Sequence, residues 1–122
     1  MAAANYKLFI EQGSTLTRSV SLKNTDGTAY DLTGATIAGE IRQTATAVTK
    51  IIDLTVTISA PATLGQFTIS LTATQTAGLP VVANTGPEII PTLYAYDVQM
   101  TNGAVVTRLF QGEAIVSPQV TR

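Results

Sequence analysis

The sequence predicts an all-β fold, a β-sandwich of about seven antiparallel strands, and three observations carry that expectation. Apolar residues recur with a period of two along short stretches. The clearest runs from Ile51 to Ser59, where Ile52, Leu54, Val56 and Ile58 alternate with Asp53, Thr55 and Thr57. Successive strand side chains point to opposite faces, so this period gives one apolar and one polar face. Breaks rich in Gly, Asn, Asp and Pro separate the stretches at intervals of roughly 10–15 residues, a spacing typical of small sandwiches and barrels. Two stacked sheets suit seven strands. Finally, residues Leu93 to Val116 read as one long hairpin around which the rest is organised.

In chain order, residues 1–4 are a loose end, and a first strand runs from Tyr6 to Glu11 until Gln12-Gly13 breaks it. A second runs from Leu16 to Leu22, with Leu16, Val20 and Leu22 on one face and Arg18 the exception. Asn24-Thr25-Asp26-Gly27 and Asp31-Leu32-Thr33-Gly34 are turns by composition. Ala35 to Gln43 is a strand in which Ile37, Gly39 and Ile41 alternate with polar residues, and Thr44 to Thr49 is a loop. Pro61 ends the Ile51–Ser59 strand. Gly65 opens the next, with Phe67, Ile69 and Leu71 inside. Thr72 to Gly78 has no strand period and fits one helical turn capped by Thr72 or Thr74. The whole chain, residues 1–122, is a single domain with short extended N- and C-terminal ends; the tail leaves the sheet at Pro118.

In the hairpin, Tyr94, Tyr96, Val98 and Met100 take one face, and Ala95, Asp97 and Gln99 the other. Asn102-Gly103 is a strong two-residue loop signal, because a type I′ turn needs φ > 0 at both central positions. With that loop, Asp97 faces Arg108 directly, an opposite-charge pair that fixes the register and contributes about 0.2–1 kcal/mol. Gly112 in the return arm marks a bulge or a close backbone approach.

Composition excludes several functions. The net charge is −1 with the basic residues dispersed, which is no footprint for nucleic acid. No apolar run approaches the ~18 residues of a membrane span, and the N-terminus lacks the basic and apolar regions of a secretory signal. Histidine and cysteine are absent. That removes the usual neutral-pH base, the thiol nucleophile and nearly all transition-metal sites. Asp26 and Asp31 do not alternate as calcium ligands do; their reading is turn chemistry. No enzyme, cofactor or metal site is expected, and Tyr94 and Tyr96 read as packing residues.

Charged residues make up 12% of the chain, about half the usual ~25%. A charge-poor surface is weakly defended against association, so a partner covers part of it. The irregular stretch Val81–Thr92 holds Pro87, Pro91 and the apolar pair Ile89-Ile90. Long loops in compact domains are often functional. Ile89 and Ile90 either dock on a partner or fold back onto the sandwich edge. Pro87, Ile89, Ile90, Pro118 and Val120 are the candidate interface residues.

Three segments then read together: Phe9-Ile10-Glu11-Gln12-Gly13-Ser14-Thr15, Asp26-Gly27-Thr28-Ala29-Tyr30-Asp31-Leu32-Thr33-Gly34-Ala35-Thr36, and Tyr96-Asp97-Val98 with Val106 to Glu113 and Val116-Ser117-Pro118. Their order and spacing resemble a family of small tailed-bacteriophage proteins, many from cyanophages, and are similar to the N-terminal domain of siphophage upper baseplate proteins. The resemblance implies an immunoglobulin-like sandwich and a virion protein assembled in the host cytoplasm. In longer relatives such a domain anchors a fibre; this chain stops at Arg122, which points to a stand-alone tail, baseplate or fibre-adaptor component. Its partners are other virion proteins and copies of itself, through sheet edges and through the ends at residues 1–5 and 117–122. The alternatives are a capsid decoration protein and a host-surface carbohydrate-binding module.

Overall fold

The computed structural model describes residues 4–121; the expectations for residues 1–3 and for Arg122 lie outside the described residues. The fold is all-β, as predicted. Its strands are β1 (Ala4–Asn5), β2 (Leu8–Glu11), β3 (Leu16–Ser21), β4 (Thr36–Arg42), β5 (Lys50–Ile58), β6 (Gln66–Leu71), β7 (Thr92–Asn102) and β8 (Val105–Ser117). A 3₁₀ turn, Ala62–Leu64, precedes β6, and one short helix, α1 (Ala73–Ala77), follows it.

The strands form one curled sheet in the order β1-β8-β7-β4-β5-β6-β3, with β2 also on β8. β5 joins the two halves. Its first part pairs with β4, from Lys50↔Arg42 to Leu54↔Gly39, and its second part pairs with β6, from Thr55↔Ser70 to Ile58↔Phe67. The halves face each other across the core: the rings of Phe67 on β6 and Phe110 on β8 lie 6.2 Å apart. Between them sit Leu8, Ile10, Leu16, Ile37, Ile41, Ile69, Leu71, Val98 and Met100, among others. Each fully buried aliphatic or aromatic side chain contributes roughly 1.5–3 kcal/mol. Ile52, Val56 and Ile58 are only half-buried, because the strand that carries them passes from one half to the other.

Antiparallel pairing throughout does not hold. β1 and β2 both run parallel to β8, Ala4↔Phe110 and Leu8↔Ala114. Parallel neighbours need no hairpin between them, so no local turn signal announces them. The expected strand Tyr6–Glu11 is thus shortened to β2, and β1 precedes it at Ala4–Asn5, so that Ala4 is paired and not part of a loose end. Where they meet, the Tyr6 N–H donates to the Gln111 carbonyl at 2.9 Å. Gly112 lies under this crossing: a Cβ there would sit 2.5 Å from the Tyr6 carbonyl oxygen. Gly112 is therefore the close approach, and the bulge is elsewhere. The β7–β8 register shifts so that Val98 faces Phe110 while Gln99 faces Arg108. The extra residue, Leu109, is buried, and Phe110 also faces inward.

The hairpin turn is displaced by one residue. Asn102 pairs with Val105, leaving Gly103-Ala104 as the loop. Gly103 has φ 62, and no non-glycine residue has positive φ among the described residues. A glycine with positive φ at the first loop position alone is the type II′ requirement, not I′.

The turns are built by short polar side chains. Asp26 Oδ1 accepts from the N–H and hydroxyl of Thr28, at 2.9 and 2.6 Å, and Asp31 Oδ1 does the same with Thr33. These bonds stabilise the carboxylates and hold both below their ordinary value. Thr72 is the cap of α1, reciprocated by Gln75 in a capping box.

Gln12 ties three segments together. Its Nε2 donates to the Leu79 carbonyl at 3.0 Å, and its Oε1 accepts from the Gln119 N–H at 2.9 Å. Next to it, the Gly13 N–H donates to the buried Thr76 hydroxyl. The tail leaves the sheet at Pro118 as expected, since β8 ends at Ser117, but it does not extend away at once. Pro118 and Gln119 are half-buried because Gln12 holds them against the first turn.

Candidate functional site

Thr92 already belongs to β7, and the loop before it, from Val81 to Pro91, has no backbone ladder; a side-chain amide supplies its order. Asn84 Oδ1 accepts from the Ile90 N–H at 2.7 Å, while its Nδ2 donates to the carbonyls of Ile90 and Val82, at 3.2 and 3.0 Å. The Val82 N–H donates to Thr92 Oγ1 at 2.8 Å and closes the base. Held this way, Ile89 and Ile90 are not folded into the core; they are 53% and 56% exposed, and Pro87 beside them is exposed too. Val120 is exposed as well, whereas Pro118 is half-buried. In the N-terminal end, Ala4 and Asn5 are already seated on β8, as a strand at the edge of the sheet.

A second apolar group was not legible as a site in the sequence. Leu93 pairs with Ile115, and Ile115 pairs with Phe9. Directly paired residues share a face; Phe9 and Ile115 lie between buried neighbours on their strands, and Leu93 lies between half-buried Thr92 and buried Tyr94. They therefore form an outward row across β7, β8 and β2, in which Phe9 and Leu93 are exposed. The available signal is that Phe9 and Leu93 are large apolar residues on the wet side of an alternation.

The same outer face carries a concentration of charge. The chain holds seven basic and eight acidic residues, and three of each form a connected set here. Asp97 on β7 stands opposite Glu40 on β4, and Glu40 stands opposite Asp53 on β5. Like charges directly opposite are destabilising, and each of these has a cation beside it. Arg108 Nε lies 3.4 Å from Asp97, Arg42 Nη2 lies 2.7 Å from Glu40, and Lys50 Nζ lies 2.9 Å from Asp53 and 4.0 Å from Glu40. The hydrogen bond and charge of Asp53 raise the Lys50 ammonium above its ordinary value. Arg42 Nη1 also donates to the carbonyls of Ala47 and Val48, at 2.9 and 2.8 Å, and so pins the β4–β5 loop.

The expected Asp97–Arg108 pair is present but diagonal. Gln111, not Arg108, stands opposite Asp97, since the loop and the Leu109 bulge both move the register. Arg108 reaches across to Asp97 and donates to Gln111 Oε1 at 3.0 Å; Gln111 in turn donates to Asn5 Oδ1 at 3.3 Å. Between these arms the small side chains of Ala38 and Ala95 leave an open hollow of about 560 Å³. Tyr96 lies beneath it with its hydroxyl turned inward, donating to the Tyr6 carbonyl at 2.7 Å. Tyr94 and Tyr96 are both buried, and burial raises both phenols above their ordinary value.

No protein-family model matches this chain, and no curated protein matches it. Among the described residues, no group of three or more His, Cys, Asp or Glu side chains is placed to hold a metal ion, and no helix is long and apolar enough to cross a membrane. What the arrangement offers chemically is surface: a clamped apolar loop, an apolar row, and a paired-charge face with a hollow.

Proposed function

We propose that this chain is a non-enzymatic structural protein of a bacteriophage particle, a tail or baseplate component or fibre adaptor that acts by protein–protein binding. The observation that carries the reading is the Ile89-Ile90 pair, held outward by Asn84 on a chain whose charges are few. Apolar pairs on an ordered loop suit docking, because little conformational freedom is lost when they are covered. The row Phe9, Ile115 and Leu93 adds a second apolar surface for neighbouring subunits.

The resemblance of the Glu11-Gln12-Gly13, Asp31-Leu32-Thr33-Gly34 and Thr107-Arg108 segments to small phage virion proteins supplies the setting. An immunoglobulin-like sandwich is the finer fold within the all-β class. The strand order supports it: β8, β7, β4 and the start of β5 form one layer, and the end of β5 with β6 and β3 the other. Tyr94, near the start of β7, donates its hydroxyl to the Pro80 carbonyl upstream, which is similar to the tyrosine corner of such folds.

The test is the copy number of the chain in purified particles, measured by quantitative mass spectrometry against the major capsid protein. A tail or baseplate ring predicts low numbers in multiples of three or six. Hundreds of copies make it a capsid decoration protein, and absence from the particle removes the virion reading.

A further inference from the structure

We propose that the hollow on the outer face of β4, β7 and β8 binds a neutral polyhydroxylated ligand, one sugar unit of a glycan. Its volume of about 560 Å³ lies within the roughly 300–1,000 Å³ of small-molecule sites. Ala38 and Ala95 form the floor, and Asn5, Gln111, Arg108, Gln99, Asp97 and Glu40 form the rim. The rim is ordered by its own bonds: Gln99 Nε2 lies 3.4 Å from Asp97 Oδ2, and Arg108, Gln111 and Asn5 are joined in a chain.

Those bonds leave polar atoms of the lining residues unspent. Among the described residues, Arg108 Nη2 and Asn5 Nδ2 donate no hydrogen bond within the protein, and Asp97 Oδ1 and Gln99 Oε1 accept none. Donors and acceptors thus lie side by side. A sugar hydroxyl both donates and accepts, so adjacent hydroxyls on one ring satisfy such a mixture. The charges of the lining select against ions. Glu40 and Asp97 oppose an anion, Arg42 and Arg108 oppose a cation, and the four sum to zero.

Tyr96 offers no stacking platform, because it is buried and its hydroxyl is bound to Tyr6. The affinity is accordingly that of one open ring site, with a Kd on the order of millimolar. The site shares no lining residue with the apolar surfaces and does not depend on incorporation into a particle. A chain found in virions that ignores sugars overturns the site alone; a sugar-binding chain absent from virions overturns the particle reading alone.

The experiment is an amide NMR titration of the full chain with D-glucose, D-galactose, D-mannose and N-acetyl-D-glucosamine. The expected result is saturable shifts with at least one of them, confined to Ala38, Ala95, Asp97, Gln99, Gln111 and their neighbours. Ala95→Leu, which fills the floor from an outward position, abolishes these shifts, and Ile89→Asp leaves them intact. Should Ala95→Leu fail to fold, Gln99→Ala weakens binding several-fold with the fold preserved. No saturable shift with any of the four sugars, or an unchanged response in the folded variant, overturns the proposal.

Discussion

The side-chain amide of Asn84 holds the backbone of Ile90 at both its N–H and its carbonyl, at 2.7 and 3.2 Å. One residue thus sets the shape of the loop that presents Ile89 and Ile90. Asn84→Ala removes these bonds and the one to Val82 while touching no core residue. Since intramolecular hydrogen bonds contribute about 0.5–1.5 kcal/mol net and this loop is solvated, the global midpoint of unfolding changes little. The local effect is large: the Ile90 amide exchanges faster, and limited proteolysis cuts between Val82 and Thr92. Unchanged exchange at Ile90 would contradict the clamp.

Glu40 and Asp97 face each other directly with Arg108 beside Asp97. Arg108→Met leaves the two carboxylates uncompensated on that side. The expected cost is about 0.2–1 kcal/mol at low salt, the range for partly exposed pairs, and it shrinks at high salt as screening weakens the repulsion. Adding Glu40→Gln restores most of the loss. Denaturant midpoints of the two variants at low and high salt check both parts.

Gly112→Ala forces a methyl group against the Tyr6 carbonyl. Overpacking of this kind costs about 1–3 kcal/mol. The loss is concentrated where β1 and β2 cross β8, so the Tyr6 amide, bonded to Gln111, loses protection before the β7–β8 hairpin does. Site-resolved hydrogen exchange separates this from a uniform loss.

Stability falls at both ends of the pH scale. Asp26 and Asp31 are lowered from 3.8 by their Thr28 and Thr33 hydrogen bonds. Their contribution is present above that value and is lost as pH falls through the lower folded values. Tyr94 and Tyr96 are raised from 10.0 by burial. Their contribution is complete below that value and is lost as pH rises through the higher folded values. Denaturant midpoints across the range are expected to show this, and the double change Asp26→Asn with Asp31→Asn flattens the acid limb only.

Local patterns in the sequence carried the strands, the two Asp-x-Thr turns, the Thr72 cap and the close approach at Gly112, because each is set by neighbours in the chain. The parallel seating of β1 and β2 on β8 was not legible, since no connection marks it. The hairpin register was displaced because Gly103 needs positive φ only at the first loop position, and because Leu109 and Phe110, adjacent in sequence, both enter the core through a bulge. The candidate site divides the same way. Ile89 and Ile90 stand out between two prolines, but Asn84 looks like any loop residue until the loop closes on it. The Asp97, Glu40 and Asp53 row needs the strand order β7-β4-β5, which no single stretch contains.

The central claim is docking through the Ile89-Ile90 loop, and the most direct measurement is the number of copies of the chain in purified particles, wild type against the double variant Ile89→Asp with Ile90→Asp. Both side chains are more than half exposed, so the variant folds with the wild-type spectrum and midpoint. The account predicts a fixed low copy number for wild type and loss of the variant from the particle. Equal incorporation of the two would contradict docking through this loop, and absence of the wild-type chain from the particle would contradict the virion role itself.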